Sequence, residues 1–76
     1  MNKKRRELLK EAYRLMTVAE EFIQTAVDEE QDSLDNMPEN LLDSEKCEKM
    51  ETAIEDLENA LDDITAAREL ISDAMS

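Results

Sequence analysis

The sequence contains no glycine and no histidine, and it has a single proline, cysteine, tyrosine and phenylalanine. Without histidine, a nucleophilic thiol has no imidazole base, and the Glu-x-x-His ligand set of di-metal helical bundles cannot form. One cysteine cannot form an internal disulfide, and a lone thiol is typical of a reducing compartment. No apolar run approaches the roughly 20 residues that span a bilayer. The sequence therefore predicts a cytoplasmic protein without a membrane partner.

The residues that are abundant favour helix. Ala, Leu, Glu, Lys, Arg and Met dominate the chain, and these are the strong helix formers. Seventy-six residues are enough for one domain but bury only a limited core. A two-helix hairpin buries even less, because each helix has one neighbour. We therefore expect self-association or a partner protein.

Charge is distributed unevenly along a chain whose net charge is −12. Six of the nine basic residues lie in the first fourteen positions: Lys3, Lys4, Arg5, Arg6, Lys10 and Arg14. Of the 21 acidic residues, only Glu7 and Glu11 precede Glu20. Most of the surface should repel nucleic acid and anionic membranes and attract basic protein surfaces.

The first half of the chain has the spacing of an amphipathic helix over about residues 3–34. Apolar or small residues recur at intervals of four and three, and Leu9, Met16 and Ile23 run beside that line. The main line comprises Leu8, Ala12, Leu15, Ala19, Phe22 and Ala26.

The pattern fails at Asp35-Asn36-Met37-Pro38, which predicts a turn over about residues 35–43. Residues 38–42 could form one short helical turn, and Asp43 or Ser44 could cap the second helix. That helix, over about residues 44–75, has an a/d line typical of coiled coils, with one charged exception. Its members are Cys47, Met50, Ile54, Leu57, Leu61, Ile64, Arg68, Ile71 and Met75. We expect Arg68 to pack its stem while its charged head reaches solvent.

Alanines that recur every seven residues predict how the two helices pack. Small residues in register allow close approach of helix axes. We therefore expect an antiparallel hairpin whose seam pairs Ala12 with Ala67, Ala19 with Ala60, and Ala26 with Ala53.

An alanine seam leaves larger side chains along one edge of the hairpin. Burying each such side chain is worth about 1.5–3 kcal/mol, so we expect them to form an oligomer interface. An antiparallel homodimer making a four-helix bundle is the favoured arrangement. A hetero-complex, another oligomer or a monomer with a minimal core are the alternatives. The predicted interface comprises Leu8, Leu15, Phe22, Leu57, Ile64 and Ile71.

A ladder of carboxylates on the second helix could in principle ligate metal ions, but only if it converged inside a bundle. It lies beside the apolar line and should point outward, so we predict a solvated acidic surface without catalytic residues, metal or cofactor. The surface comprises Glu48, Glu51, Glu55, Asp56, Glu58, Asp62 and Asp63. Cys47 is predicted to be a buried small hydrophobe. Glu30 continues the Leu9 line and could set specificity at the bundle edge.

Part of the chain resembles a recurring pattern in short uncharacterised helical proteins encoded by phages, prophages and mobile elements of Gram-positive bacteria. The resemblance covers residues 28–64 best, and it differs at Lys46-Cys47, where such proteins often have Arg-Gly. It implies a phage or mobile-element accessory protein and supplies no functional residues. The quoted segments are Asp28-Glu29-Glu30-Gln31, Asp35-Asn36-Met37-Pro38-Glu39-Asn40-Leu41, Ser44-Glu45 and Met50-Glu51.

Three functions follow as hypotheses. The favoured one is a non-enzymatic accessory protein that binds a basic host protein, such as a defence protein, through its acidic helical surface and inhibits it. The first alternative is a Rop-like helical dimer that binds nucleic acid through its basic N-terminus. The second alternative is an all-α enzyme that depends on carboxylate-bound metal.

Overall fold

The protein is an all-α helical hairpin. The computed structural model describes residues 1–76 and contains two long antiparallel helices, α1 (Lys3–Asp35) and α2 (Glu45–Met75), with no strands. A 3₁₀ helix, Glu39–Leu41, lies in the connection between them. The molecule is a rod of 59 × 15 × 13 Å. Neither helix has a stretch long and apolar enough to cross a membrane.

Side-chain caps begin both helices. The Asn2 side chain accepts a hydrogen bond from the backbone N–H of Arg5 at 2.8 Å, and the Ser44 hydroxyl accepts one from Cys47 at 3.2 Å. Each bond satisfies one of the N–H groups that a helix leaves unpaired at its N-terminus. Pro38 precedes the 3₁₀ helix, and no residue in the connection has a positive φ. The connection therefore needs no glycine.

The buried core of the hairpin lies near the turn. Only four residues are buried, Val27 on α1 and Cys47, Met50 and Ile54 on α2. Leu34 and Met37 are half-buried beside this group. Toward the chain termini, the residues between the helices are only half-buried. The two helices therefore cover each other most completely near the turn.

The a/d line of α2 is the side that faces α1, whereas the prediction placed the alanine line of α2 there. All nine members of this line, from Cys47 to Met75, are buried or half-buried. Leu57, Ile64 and Ile71 belong to this contact and are half-buried within the hairpin. Their assignment to an outer oligomer strip was wrong, because the same periodic line cannot face α1 and also lie wholly outside the hairpin.

The prediction that the alanines of α1 face α2 was wrong. Ala19 and Ala26 are exposed, whereas Ala12 and the α2 residues Ala53, Ala60 and Ala67 are half-buried. Instead, α1 turns its neighbouring apolar line toward α2, and that line continues through Val27 and Leu34 to the turn: Leu9, Met16, Ile23, Val27 and Leu34. This line is longer and carries larger side chains, so it buries more apolar surface than the alanine line would.

The register between the helices also differs from the predicted one. The Arg68 side chain reaches Thr17 and Glu20, whereas the predicted pairing placed its neighbour Ala67 at the level of Ala12. The half-buried Met37 lies beyond the last turn of α1. The connection therefore continues past the end of α1 before the chain turns back, which shifts α2 relative to a symmetric hairpin.

Candidate interaction surfaces

A polar cluster links the two helices halfway along α1. The Arg68 guanidinium donates to the Glu20 carboxylate at 2.6 Å and to the Thr17 hydroxyl at 3.0 Å. Thr65 donates to the same Glu20 oxygen at 3.3 Å. The guanidinium carbon also lies 5.6 Å from the centre of the Tyr13 ring, within cation–π range. The bond between Arg68 and Glu20 is the only ion pair between the helices.

Arg68 therefore does not extend its charged head into solvent as predicted. Its side chain is 17% exposed, that of Glu20 is 29% exposed, and the Arg68 Nε–H is buried without a partner. A partly buried charge needs a counter-charge, because desolvation penalises an isolated ion. A signal for the pair was present in the sequence. Glu20 interrupts the apolar line of α1 that faces α2, between Met16 and Ile23. Arg68 is the one charged residue in the a/d line of α2.

An acidic groove of about 740 Å³ runs beside this pair between α1 and α2. Four of its eight lining residues are acidic, and only one is apolar. Of the four carboxylates, only that of Glu20 forms an ion pair. The lining residues are Glu20, Glu21, Gln24, Thr25, Glu58, Leu61, Asp62 and Thr65. The groove therefore presents concentrated negative charge together with amide and hydroxyl groups.

The groove combines residues from both helices, which the sequence pattern of α2 alone did not reveal. Glu58 and Asp62 belong to the predicted acidic surface, whereas Glu21 lies on α1. All seven residues of the predicted surface are exposed, and none forms an ion pair. The other five residues of the predicted surface do not line the groove: Glu48, Glu51, Glu55, Asp56 and Asp63.

The basic N-terminal arm, residues 3–10, lies apart from these acids. Its five basic side chains, Lys3, Lys4, Arg5, Arg6 and Lys10, form no ion pairs in the hairpin. The next basic residue, Arg14, pairs with Glu11 within α1, and this bond lowers the pKa of Glu11 and raises that of Arg14. The arm therefore presents uncompensated positive charge at the end of the rod opposite the turn.

Cys47 is a buried residue of the core, as predicted. It is 2% exposed, and burial raises the pKa of its thiol, with the Glu51 carboxylate 3.8 Å from Sγ adding to the effect. A raised pKa keeps the sulfur in the thiol form at neutral pH, whereas nucleophilic cysteines are held as thiolates. Cys47 thus packs as a small apolar side chain.

No group of three or more potential ligating side chains is placed to hold a metal ion. Comparison with protein-family models, curated proteins and solved structures gave no match. The interaction surfaces are therefore characterised by their own chemistry: an acidic groove, a solvated acidic face on α2, a basic arm, and an apolar strip on α1 whose residues Leu8, Leu15 and Phe22 are exposed as predicted.

Proposed function

We propose that this protein is a non-enzymatic interaction protein that binds a basic protein surface through the acidic groove between α1 and α2. The observation that carries the proposal is the groove itself. Glu21, Glu58 and Asp62 line it without any cation to neutralise them. A concave surface with one sign of charge concentrates field lines and accelerates encounter with an oppositely charged partner.

The resemblance to short helical proteins of phages and mobile elements supports an accessory role in such an element. In that setting, the partner is a basic host protein, and binding blocks the surface with which it contacts nucleic acid. Carboxylates spaced at i, i+3 and i+4 along a rigid helix lie about 5–6 Å apart, which is close to the spacing of phosphates along a strand. The protein would then act in the cytoplasm of the bacterial host.

The groove is tested by affinity purification from the host with three baits. These are the wild-type protein, the groove variant E21Q/E58Q/D62N, and the control E55Q/D63N/E69Q, which loses the same charge outside the groove. We expect a basic protein that wild type and control retain and the groove variant loses. Equal recovery by all three baits, or none by any, would contradict the proposal.

A second candidate function rests on the basic arm. Its five cations are unpaired in the hairpin, which favours a contact with nucleic acid phosphates. Fluorescence anisotropy with labelled single-stranded RNA and duplex DNA, at several salt concentrations, measures this directly. Binding that weakens with salt and disappears in K3A/K4A/R5A/R6A would support it, and no binding at low salt would exclude it.

We also propose that the working unit is a homodimer. Only four of the 76 side chains are buried in the single hairpin. A second copy would cover the apolar surface that one hairpin leaves in water.

A further inference from the structure

One apolar line of α1 is left exposed by the hairpin, apart from the half-buried Ala12. Leu8, Leu15 and Phe22 are 63%, 53% and 74% exposed and recur every seven residues. Ala12, Ala19 and Ala26 alternate with them. We call these six residues the outer strip. Its spacing of four and three is that of a coiled-coil a/d line, so α1 carries two such lines and α2 covers only one.

The total surface of the hairpin leaves room for one further interface. The accessible surface is 5786 Å², whereas a compact monomer of 8.8 kDa exposes about 4800 Å². The excess of about 1000 Å² compares with the roughly 800 Å² that each partner buries in a standard interface. Covering one face of the rod would bring the exposed area close to that of an ordinary small protein.

We propose that the outer strip packs antiparallel on the outer strip of a second copy, related by a two-fold axis that passes near residue 17. This places Leu8 against the partner's Ala26, Leu15 against the partner's Ala19, and Phe22 against the partner's Ala12. Every layer then combines one large and one small side chain, which fills the space evenly. The arrangement deepens the proposed homodimer by fixing its surface and register.

A parallel pairing of the same strips fits poorly. It would oppose Phe22 to Phe22 and each leucine to itself, in alternation with layers of two alanines. Such layers alternate between overpacking and voids, and both are costly. Only the antiparallel direction matches large residues with small ones over the whole strip.

Charge at both ends of the outer strip selects the same direction. The a/d spacing continues to Arg5 before Leu8 and to Glu29 after Ala26. In the antiparallel pair, Arg5 lies opposite the partner's Glu29, and Lys4 lies near the partner's Asp32. None of these four side chains forms an ion pair in the single hairpin. A parallel pair would instead set the five basic residues of each arm against one another.

The dimer leaves the acidic groove open. Glu21 and Gln24 line the groove from α1, and at 100° per residue they lie on the side of the helix away from the outer strip. Thr25, three residues after Phe22, lies at the border between the two surfaces. The groove carboxylates and the outer strip are different residues, so binding of a basic partner and self-association can each be lost without the other.

The first test is the oligomeric state, measured by sedimentation equilibrium for wild type, F22E and N59E. Phe22 is largely exposed, so the single hairpin does not need it, and N59E adds the same charge at an exposed position of α2. We expect wild type and N59E to be dimers. F22E should have a dissociation constant at least tenfold higher, with unchanged helicity by circular dichroism. A monomeric wild type would overturn both the homodimer and this interface. A dimeric F22E with wild-type affinity would overturn only the interface.

The second test is the register, measured by disulfide trapping in the C47A background. L8C and A26C proteins are mixed and oxidised. We expect the mixed disulfide between the two variants, because identical positions lie about 27 Å apart along the axis. Disulfides between two L8C chains would show a parallel pair, and no trapping in a dimeric mixture would show another face. Either result would overturn the proposal.

A charge exchange tests the direction independently. R5E places a carboxylate opposite the partner's Glu29 and should raise the dissociation constant severalfold, whereas R5E/E29R restores the opposite charges and should return it toward the wild-type value. In a parallel pair, the double exchange would leave the dissociation constant as high as in R5E.

Discussion

The two ends of the hairpin are held together by different chemistry. At the turn end, all four buried side chains are apolar or a thiol. At the open end, beyond Glu20 on α1 and Thr65 on α2, the contact is half-buried and contains the Arg68 cluster. Apolar burial stabilises without regard to direction, whereas a charged pair specifies which residues meet at some cost in desolvation. The turn end therefore supplies stability, and the open end supplies register.

The largest effect is expected from I54A in the turn-end core. Ile54 is 7% exposed, and removing a buried branched side chain costs about 2–4 kcal/mol. Urea unfolding followed by circular dichroism measures the loss, and I54V, at about 0.5–1.5 kcal/mol, keeps it measurable if I54A unfolds. The control is L70A at the open end, where Leu70 is 69% exposed and the change should stay within about 0.5 kcal/mol. Equal losses in I54A and L70A would contradict the placement of the core.

The next effect is expected from R68A. It leaves the partly buried Glu20 without its cation, and because both side chains keep some solvent contact we expect a loss of about 1–2 kcal/mol. E20L/R68L removes both charges and should recover wild-type stability or exceed it. A double-mutant cycle with the single variants E20L and R68L measures the coupling. If the double variant is as unstable as the sum of the single ones, the pair does not interact.

The two helix caps give a smaller, paired prediction. S44A removes the cap beside buried Cys47 and should cost about 1 kcal/mol. N2A removes a bond of similar geometry at the exposed end of α1, where the first turn frays, and should cost at most about 0.3 kcal/mol. Thermal unfolding of both variants provides the measurement. A larger loss for N2A than for S44A would reverse the proposed contrast between the ends.

The smallest expected effect is a dependence of the folding stability on pH that is caused by the Cys47 thiol. Its pKa is raised in the folded state by burial and by Glu51. The thiol therefore stabilises the fold below its ordinary pKa, and this contribution is lost as the pH rises through that value toward the folded-state pKa. We expect the stability difference between wild type and C47A to shrink from pH 8 to pH 10.5. A difference that stays constant would show that the thiol titrates as it does in the unfolded chain.

The bounds of α2 could be predicted from sequence, because its a/d residues recur from Cys47 to Met75 and Ser44 before them is a strong capping residue. The 3₁₀ helix at Glu39–Leu41 agrees with the short turn expected over residues 38–42. In each case, local preference and tertiary contact favour the same structure. The face of α2 toward α1 was predicted wrongly, because the alanine line beside the a/d line has the same period.

The packed face of α1 could not be chosen from sequence either, because two apolar lines lie one residue apart. The line through Leu8 and Phe22 is regular, whereas the line through Leu9 and Ile23 is interrupted by Glu20. Periodicity favours the first. The structure uses the second, because Val27 extends it toward the turn and Arg68 compensates the charge of Glu20. That compensation depends on the register, which cannot be read from either helix alone.

The confinement of the buried side chains to the segment 27–54 also sets the order in which the hairpin forms. Contacts near the turn close short loops, whereas the bond between Thr17 and Arg68 spans 51 positions. Each doubling of loop length costs about 0.6 kcal/mol in chain entropy. We expect folding to start next to the connection and to proceed toward the termini, with the Arg68 cluster closing late. Unfolding would then begin at the open end, and the arm that the proposed dimer uses would be the first part of the chain to loosen.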